Sequence, residues 1–370
     1  MNRQLTTILT LGILASMAIG CTGHKVNADG NVAVEFNNTI NPLAENISSI
    51  ELIPLETDSE HLVGGITDLT IAGDSYIVMD LINNNIFRYS ADGKFLGRIG
   101  QKGNGPEEYI QINDIQYRDG NLCIFSTPSK LQRFSLDGNM IDSKIFPEMD
   151  LGSMSWLTDE GVLTYYGYGS GRDSRFALIA DSGKKTFYPS EEKVINYTPM
   201  SKIYSETGGK VYVIDSYSNV VKVYSAGEVS DGTAFDFGKY SIPESFFGFD
   251  DAFAAMETLM SSEYALLNQY LCDGDNRLVN ILVQKGMEQD SYYGLLSGGD
   301  WHWFSVGKPG QDVFAGSFKE MKDGIIFCLL EPATISTFPS SLKKRLSNPE
   351  ILNNINEEDN CVIAKLHLTK

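Results

Sequence analysis

Arg88-Tyr89-Ser90-Ala91-Asp92-Gly93 and Arg133-Phe134-Ser135-Leu136-Asp137-Gly138 carry one pattern twice. In each, a basic and an aromatic residue close an apolar run, and an Asp-Gly pair supplies the positive φ that a tight hairpin turn demands. Upstream, Asp68-Leu69 followed by Ile77-Val78-Met79-Asp80 can be laid on Asp114-Ile115 followed by Cys123-Ile124-Phe125-Ser126. The offset is 46 residues from Asp68 to Asp114 and 45 from Asp92 to Asp137. Another copy reads Val211-Tyr212-Val213-Ile214-Asp215, with Tyr224 nine residues after the aspartate, the gap that also separates Asp80 from Tyr89. Between these lies a weaker unit, Gly161 to Tyr166 with Phe176 to Ile179 and Asp181-Ser182-Gly183, and two more follow around Arg277 to Leu282 and Gly324 to Leu329.

A repeat of about 40 to 50 residues built from several short strands is the pattern of a β-propeller blade. Six such units fit the available length, so the expected fold is all-β, a six-bladed propeller over residues 47–370. A blade has two apolar faces that only its neighbours can cover, so the blades must close into a ring. The terminal apolar runs, Ile50 to Leu55 and Cys361 to Leu368, are the expected mates that close it. One stretch breaks the β pattern. Within residues 250–268, Phe253, Met256, Leu259, Met260, Tyr264 and Leu267 recur at helical spacing, which predicts a helical insertion between the fourth and fifth units. Residues 339–354, with Leu342, Leu346, Ile351 and Leu352, suit a second short helix.

The first residues read as an address. Arg3 precedes an apolar stretch from Leu5 to Ile19 that is short for a membrane span of about 20 residues, and Gly20-Cys21 follows. Ala18-Ile19-Gly20-Cys21 resembles a bacterial lipoprotein signal. That resemblance implies a signal peptide over residues 1–20, lipidation of Cys21 and attachment to a membrane through lipid alone; an ordinary secretory signal cut nearby is the alternative. Residues 21–46 are polar and poorly patterned, as a tether would be.

The stretch from Tyr89 to Tyr109, Tyr-Ser-Ala-Asp-Gly-Lys-Phe-Leu-Gly-Arg-Ile-Gly-Gln-Lys-Gly-Asn-Gly-Pro-Glu-Glu-Tyr, looks like the hairpin and glycine-rich connector of NHL-type repeats. With the lipoprotein start and the Ile47 to Leu55 strand, the chain resembles the six-bladed β-propeller lipoproteins of Bacteroidetes, a family largely without assigned function. Related lipoproteins displayed on the cell surface carry an acidic run after the lipidated cysteine. Here Thr22-Gly23-His24-Lys25-Val26-Asn27 has none, so the resemblance implies an outer-membrane anchor facing the periplasm.

Composition narrows the partners. The net charge of −19 is spread from Glu35 to Asp359, which disfavours nucleic acid and adhesion to anionic lipid, both of which need clustered Lys and Arg. Cys123, Cys328 and Cys361 sit within or at the start of apolar runs, and with Cys272 they read as buried free thiols; neither a close CxxC pair nor zinc-type spacing is present.

Few residues suggest chemistry. Gly100, Gly103, Gly105 and Pro106 mimic a phosphate loop but lack the Lys-Ser/Thr that would follow, so they read as a connector between blades. With four histidines, His24, His61, His302 and His367, in unrelated places, a His-rich zinc site is not expected. Asp68 and Asp114 head equivalent innermost strands and could ring the channel mouth, where an all-oxygen calcium site is the form a cofactor would take; the plainer reading is that they cap strands and bind water. No G-x-S-x-G elbow supports a serine nucleophile. Tyr165, Tyr166, Tyr168, Tyr292, Tyr293, Trp301 and Trp303 lie in Gly- and Ser-rich segments, where exposed rings could stack on sugars or grip peptides. Trp301 and Trp303 share one face of a strand by alternation, and a buried face is the plainer reading there.

The sequence thus points to a monomeric, non-catalytic binding or assembly module whose loops take an envelope protein or a polysaccharide or peptide ligand, with Asp68, Asp114, Tyr166, Tyr168 and Trp301 as candidate contacts. No cofactor is called for. The rival is a hydrolase or lyase using channel carboxylates; three or more converging oxygens with perturbed titration would favour it, and an apolar plug would not.

Overall fold

The hairpin that turns at Asp92-Gly93 is the outer half of a four-stranded antiparallel sheet, Ile66–Ala72, Ser75–Asp80, Asn85–Ser90 and Phe95–Arg98, in the computed structural model, which describes residues 30–36, 42–147, 150–152, 154–190, 194, 199, 202–305 and 314–369. Five more sheets repeat this plan. Blade 2 runs from Gln111–Arg118 to Met140–Ile145, blade 3 from Met154–Leu157 to Gly183–Pro189, blade 4 from Tyr204–Thr207 to Glu228–Asp236, and blade 5 from Ala265–Asp273 to Asp300–Ser305. Blade 6 is composite: Ser317–Lys322, Ile325–Leu330 and Val362–Leu368 are completed on the outside by the N-terminal strand Ile47–Pro54. The fold is a six-bladed β-propeller closed by the pairing of its terminal strands, Ile50 opposite Leu366 and Pro54 opposite Val362.

Burial follows position in the blade. Ser75–Asp80, a second strand, is buried at every residue and reads as a continuous apolar run because both faces are covered. Met140–Ile145, an outer strand, is exposed along most of its length. The first strands of blades 1 and 2, 2 and 3, 4 and 5, 5 and 6, and 6 and 1 touch each other, which puts them around the axis. Side chains stitch these strands through backbone groups: Gln116 exchanges hydrogen bonds with Leu157, the Gln269 amide donates to the Phe318 carbonyl at 2.9 Å, and Ser205 accepts from the Cys272 amide at 3.0 Å.

The Asp-Gly turns also lock blade to blade. Gly93, at φ +84°, lies against Pro54 of the preceding blade, whose carbonyl oxygen a methyl group on Gly93 would strike, and its own carbonyl accepts from the Glu56 amide at 2.8 Å. Gly138, at φ +82°, lies in the same way 3.1 Å from the Arg98 carbonyl, measured from where its Cβ would be. Gly120 has φ +78° and open space around it. Gly120→Ala should therefore cost about 1 kcal/mol, the backbone penalty alone, whereas Gly93→Ala should cost about 3 kcal/mol because it also forces the seam apart; urea denaturation of the two variants measures the difference.

The helical insertion is Ala252–Ser261, capped by Asp251, which accepts from the Phe253 amide at 3.0 Å. It stops short of the expected 268: strand Ala265–Asp273 begins after Tyr264, so Leu267 belongs to the β pattern of blade 5. Residues 339–354 hold two short turns, Ser340–Lys343 and Pro349–Asn353. Part of the stretch read as a tether is docked. Val32–Ala33 pairs in parallel with Phe235 and Asp236 as a fifth strand of blade 4, and Phe36 packs edge-on to Tyr292 at 5.1 Å. The physical reason is the local Val-Ala-Val-Glu-Phe alternation, apolar at every second residue within an otherwise polar segment. Cys21 and the signal lie outside the described residues. Cys123, Cys272, Cys328 and Cys361 are buried and free. Among the described residues no helix is long and apolar enough to cross a membrane.

Candidate functional site

Asp68 lies in the inner strand Ile66–Ala72 and Asp114 in the inner strand Gln111–Arg118, while Lys202 stands just before the inner strand Tyr204–Thr207. Each aspartate turns back on its own strand, Asp68 Oδ1 accepting from the Leu69 amide at 2.9 Å and Asp114 Oδ1 from the Ile115 amide at 2.8 Å. Asp68 meets the Lys202 ammonium in the channel, and Asp114 acts on it electrostatically. Lys202 Nζ lies 3.2 Å from Asp68 Oδ2 and 3.7 Å from Glu320 Oε2 of blade 6, and donates to Thr70 Oγ1 at 3.3 Å. It also sits 5.2 Å from the centre of the Trp156 ring. The side chains of Lys202 and Asp68 are each 5% exposed.

Lys202 is held among Asp68, Asp114 and Glu320, while Lys319 also acts on Asp68 and Lys322 on Glu320. Water is largely excluded from Lys202 and Asp68, whereas the Glu320 side chain is 24% exposed. Burial works against the Lys202 charge, yet the surrounding Asp68, Glu320 and Asp114 carboxylates outweigh it and hold the ammonium above its ordinary range. Burial pushes the Asp114 carboxyl up to about 7; Lys202 pulls it down and Asp68 pushes it further up. Burial likewise raises Glu320, opposed by Lys202.

A testable slope follows from Asp114. Its folded form holds a proton up to about pH 7, whereas the unfolded chain releases it near 3.8, so between those values the folded state binds more protons and stability falls as pH rises. The window corresponds to about 4 kcal/mol. Asp114→Asn, which keeps the acceptor for Ile115, should be neutral at pH 4 and stabilising by about 2 to 4 kcal/mol at pH 8. Denaturant midpoints across pH for both proteins would show it.

Above this cluster a cavity of about 520 Å³ opens at the end of the channel where first and second strands are joined. Asp119, the Thr207-Gly208-Gly209 turn, Asp273 and Lys322 rim it, while Trp156, Lys202 and Glu320 reach its base. Its wall is built in advance. Arg118 donates to the Leu157 carbonyl at 3.3 Å and pairs with Asp159 and, at 3.5 Å, with Glu206. Glu206 also accepts from the Trp156 indole at 3.0 Å, and Trp156 stacks on Tyr204 at 5.8 Å. Such a concave, partly aromatic, largely preformed space has the size of ligand sites in general.

The other candidate residues lie elsewhere. Tyr166 is buried beside the Asp150 carbonyl, to which it donates at 2.6 Å, with Lys184 over its ring. Tyr168 is buried against Tyr217 and Phe247, and the Arg175 guanidinium lies 4.4 Å above it. Trp301 is half-buried, stacked on Trp303 at 5.5 Å and edge-on to Phe235 of blade 4. Tyr168 and Trp301 pack against residues of a neighbouring blade, Tyr166 packs within blade 3, and none of the three lines the cavity. His61 stacks on Phe95 and pairs with Asp58. Among the described residues no group of three or more His, Cys, Asp or Glu side chains is placed to hold a metal ion; the three channel carboxylates have an ammonium in their midst. In the glycine-rich connector, Glu108 accepts from the Gly105 amide at 2.7 Å and fills the space a phosphate would need.

Sequence reasoning brought Asp68 and Asp114 together but missed Lys202, Glu320 and Trp156. The repeat gave no signal for Lys202: Leu69 pairs with Val78 as Tyr204 pairs with Val213, so Lys202 lies one residue ahead of the position equivalent to Asp68.

The same ring occurs in solved structures. A Bacteroides fragilis protein named "Putative exported protein" superposes with a TM-score of 0.71 at 18% identity, over 90% of this chain and 98% of its own. A member of the DUF4221 family from Bacteroides vulgatus superposes with a TM-score of 0.54 at 10% identity, over 87% of this chain and 97% of its own. At these identities the likeness is one of fold. No curated protein matches the chain. Residues 31–367 match the family described as "Domain of unknown function (DUF4934)", and the chain belongs to that family.

Proposed function

We propose that this protein is a non-catalytic binding module of the bacterial envelope, anchored by lipid on Cys21 to the periplasmic side of the outer membrane, and that its ligand enters the channel cavity. The observation that carries the reading is the cavity of about 520 Å³, whose Trp156, Arg118 and Glu206 wall is fixed by mutual hydrogen bonds and ion pairs before any ligand arrives. A wall already ordered loses little entropy on binding. The exported Bacteroides relative in fold is consistent with an envelope location.

The cavity is tested by filling it. Ile71, half-buried at its edge, can be replaced by tryptophan. Wild-type and Ile71→Trp proteins are incubated with envelope extract, washed and analysed by mass spectrometry for retained small molecules and peptides. A ligand retained by the wild type and lost from the variant supports the reading; an identical retained set in both places the ligand elsewhere.

The enzyme reading has one observation in its favour, the convergence of Asp68, Asp114 and Glu320 with titrations of Asp114 and Glu320 raised. Of the three only Glu320 lines the cavity, which leaves a single carboxyl within reach of a substrate there. Turnover of an envelope polymer that disappears in Glu320→Gln would establish this second reading.

A further inference from the structure

We propose that the outer strand of blade 2, Met140–Ile145, pairs antiparallel with the same strand of a second copy of this chain, joining two propellers rim to rim in place of the monomer expected from the sequence. None of residues 140–145 lines the cavity, so this contact stands or falls independently of the ligand site.

An outer strand carries a row of unpaired amides and carbonyls, which proteins cover or break up. Five blades do so here. Val32–Ala33 covers the edge of blade 4, and Pro42–Asn46 lies against the outer strand of blade 5. On blade 6 the Ile50 amide donates to the Arg345 carbonyl and the Ser347 amide to the Ile50 carbonyl, both at 2.8 Å. Blade 1 ends in a strand of only four residues, Phe95–Arg98. The outer strand of blade 3 carries adjacent Lys184 and Lys185 and is broken by Tyr188 at φ +54°. Blade 2 differs. Its outer strand pairs along its length with Lys130–Phe134, slipping only at Ile141, and no described segment covers it. Ile141 is 50% exposed and Ile145 73%.

The strand is complementary to itself. A twofold axis through Ser143 sets Asp142 opposite the partner's Lys144 and Ile141 opposite the partner's Ile145, and symmetry makes each pair twice. Directly opposed residues share a face of a sheet, and opposite charges and apolar pairs there are stabilising. Other registers lose this match. Axes through Asp142 or Lys144 oppose like charges, and axes between residues set isoleucine against Lys144 or Asp142. One register is therefore specified. Within the chain, Arg133 Nε donates to Asp142 at 2.8 Å and Lys144 to Asp181 at 2.6 Å. Both are exposed ion pairs that an added charge of the right sign extends at little cost. Two short edges bury less than a standard interface of about 1,600 Å², so association is weak and reversible.

The experiment is sedimentation equilibrium of the folded mature chain at concentrations up to about 1 mM, the regime of weak complexes. Wild type should form a dimer. Asp142→Lys sets lysine against lysine and Lys144→Asp sets aspartate against aspartate, so each variant alone should raise the dissociation constant about tenfold. An equimolar mixture of the two opposes unlike charges at every position and should dimerise as the wild type does. Circular dichroism checks that each variant is folded. Ile145→Asn, at a side chain already exposed, replaces a charge variant that fails to fold and should weaken the dimer about fivefold. A wild type that stays monomeric overturns self-pairing and leaves the edge to a foreign strand. A dimer indifferent to the variants lies on another surface and overturns the proposal. Variants that weaken the dimer without recovery in the mixture overturn the twofold register.

Discussion

Replacing Lys202 with methionine should cost about 3 to 5 kcal/mol at pH 8, the penalty for leaving buried charge without its partner. The Lys202 ammonium itself lies over the Trp156 ring, and methionine keeps much of the lysine's shape while removing that charge. Asp68, Asp114 and Glu320 then lose the cation they share, with Lys319 left to act on Asp68 and Lys322 on Glu320. They respond by taking up protons, so the loss shrinks toward pH 5. The combination Lys202→Met with Asp68→Asn should recover part of it, because one of the stranded carboxylates is gone. Chemical denaturation of the single and double variants at pH 5 and 8 reads all of this. A Lys202→Met protein within 1 kcal/mol of wild type at pH 8 would show that the channel charges are better hydrated than the geometry implies.

The second large effect concerns closure. Removing residues 1–55 takes away Ile47, Ile50, Leu52 and Ile53, all buried in or beside blade 6, and the reciprocal hydrogen bonds of Leu52 with Asn348 at 3.0 and 2.8 Å. Four such side chains contribute about 1.5 to 3 kcal/mol each, a sum comparable to the whole stability of a domain. The truncated chain should lose its cooperative unfolding transition. Removing only residues 1–36 deletes the parallel fifth strand of blade 4 and the Phe36 contacts but leaves the closing pair intact, so the transition should survive at a lower midpoint. Circular dichroism melts of both truncations, with a synthetic peptide of residues 45–57 added to the shorter chain, distinguish the two roles. Rescue by the peptide identifies the missing strand as the cause.

The ring was legible in the sequence wherever turn chemistry is strict. Asp92-Gly93 and Asp137-Gly138 must be what they are because each needs positive φ and each abuts the neighbouring blade, so they repeat visibly. The terminal apolar runs were legible as mates because edge strands left unpaired are costly. Blade 3 was faint since its hairpin turns at Asp181-Ser182-Gly183 without that double constraint: a Cβ on Gly183 would meet nothing within 4 Å. Of the site, the two aspartates announced themselves by equivalent position. Lys202 and Glu320 did not, because a single Lys and a single Glu look like solvated surface until the closure of the ring turns them onto the axis, where blade 4 and blade 6 face blade 1. Tyr166, Tyr168 and Trp301 were conspicuous as aromatics, yet the packing within and between blades draws on the same residues as binding platforms do.

The composite sixth blade also sets a timetable. Ile47–Pro54 leaves the ribosome about 300 residues ahead of its partner Val362–Leu368, which at about 5 to 20 residues per second means an interval of about 15 to 60 s. Throughout that interval a β-prone segment waits with a bare hydrogen-bonding margin, the condition under which nascent chains aggregate or need a holding chaperone. The last strand made is thus the one that ends the chain's exposure to mispairing, and nonsense truncations near residue 360 should be cleared as misfolded rather than persist as shortened but serviceable proteins.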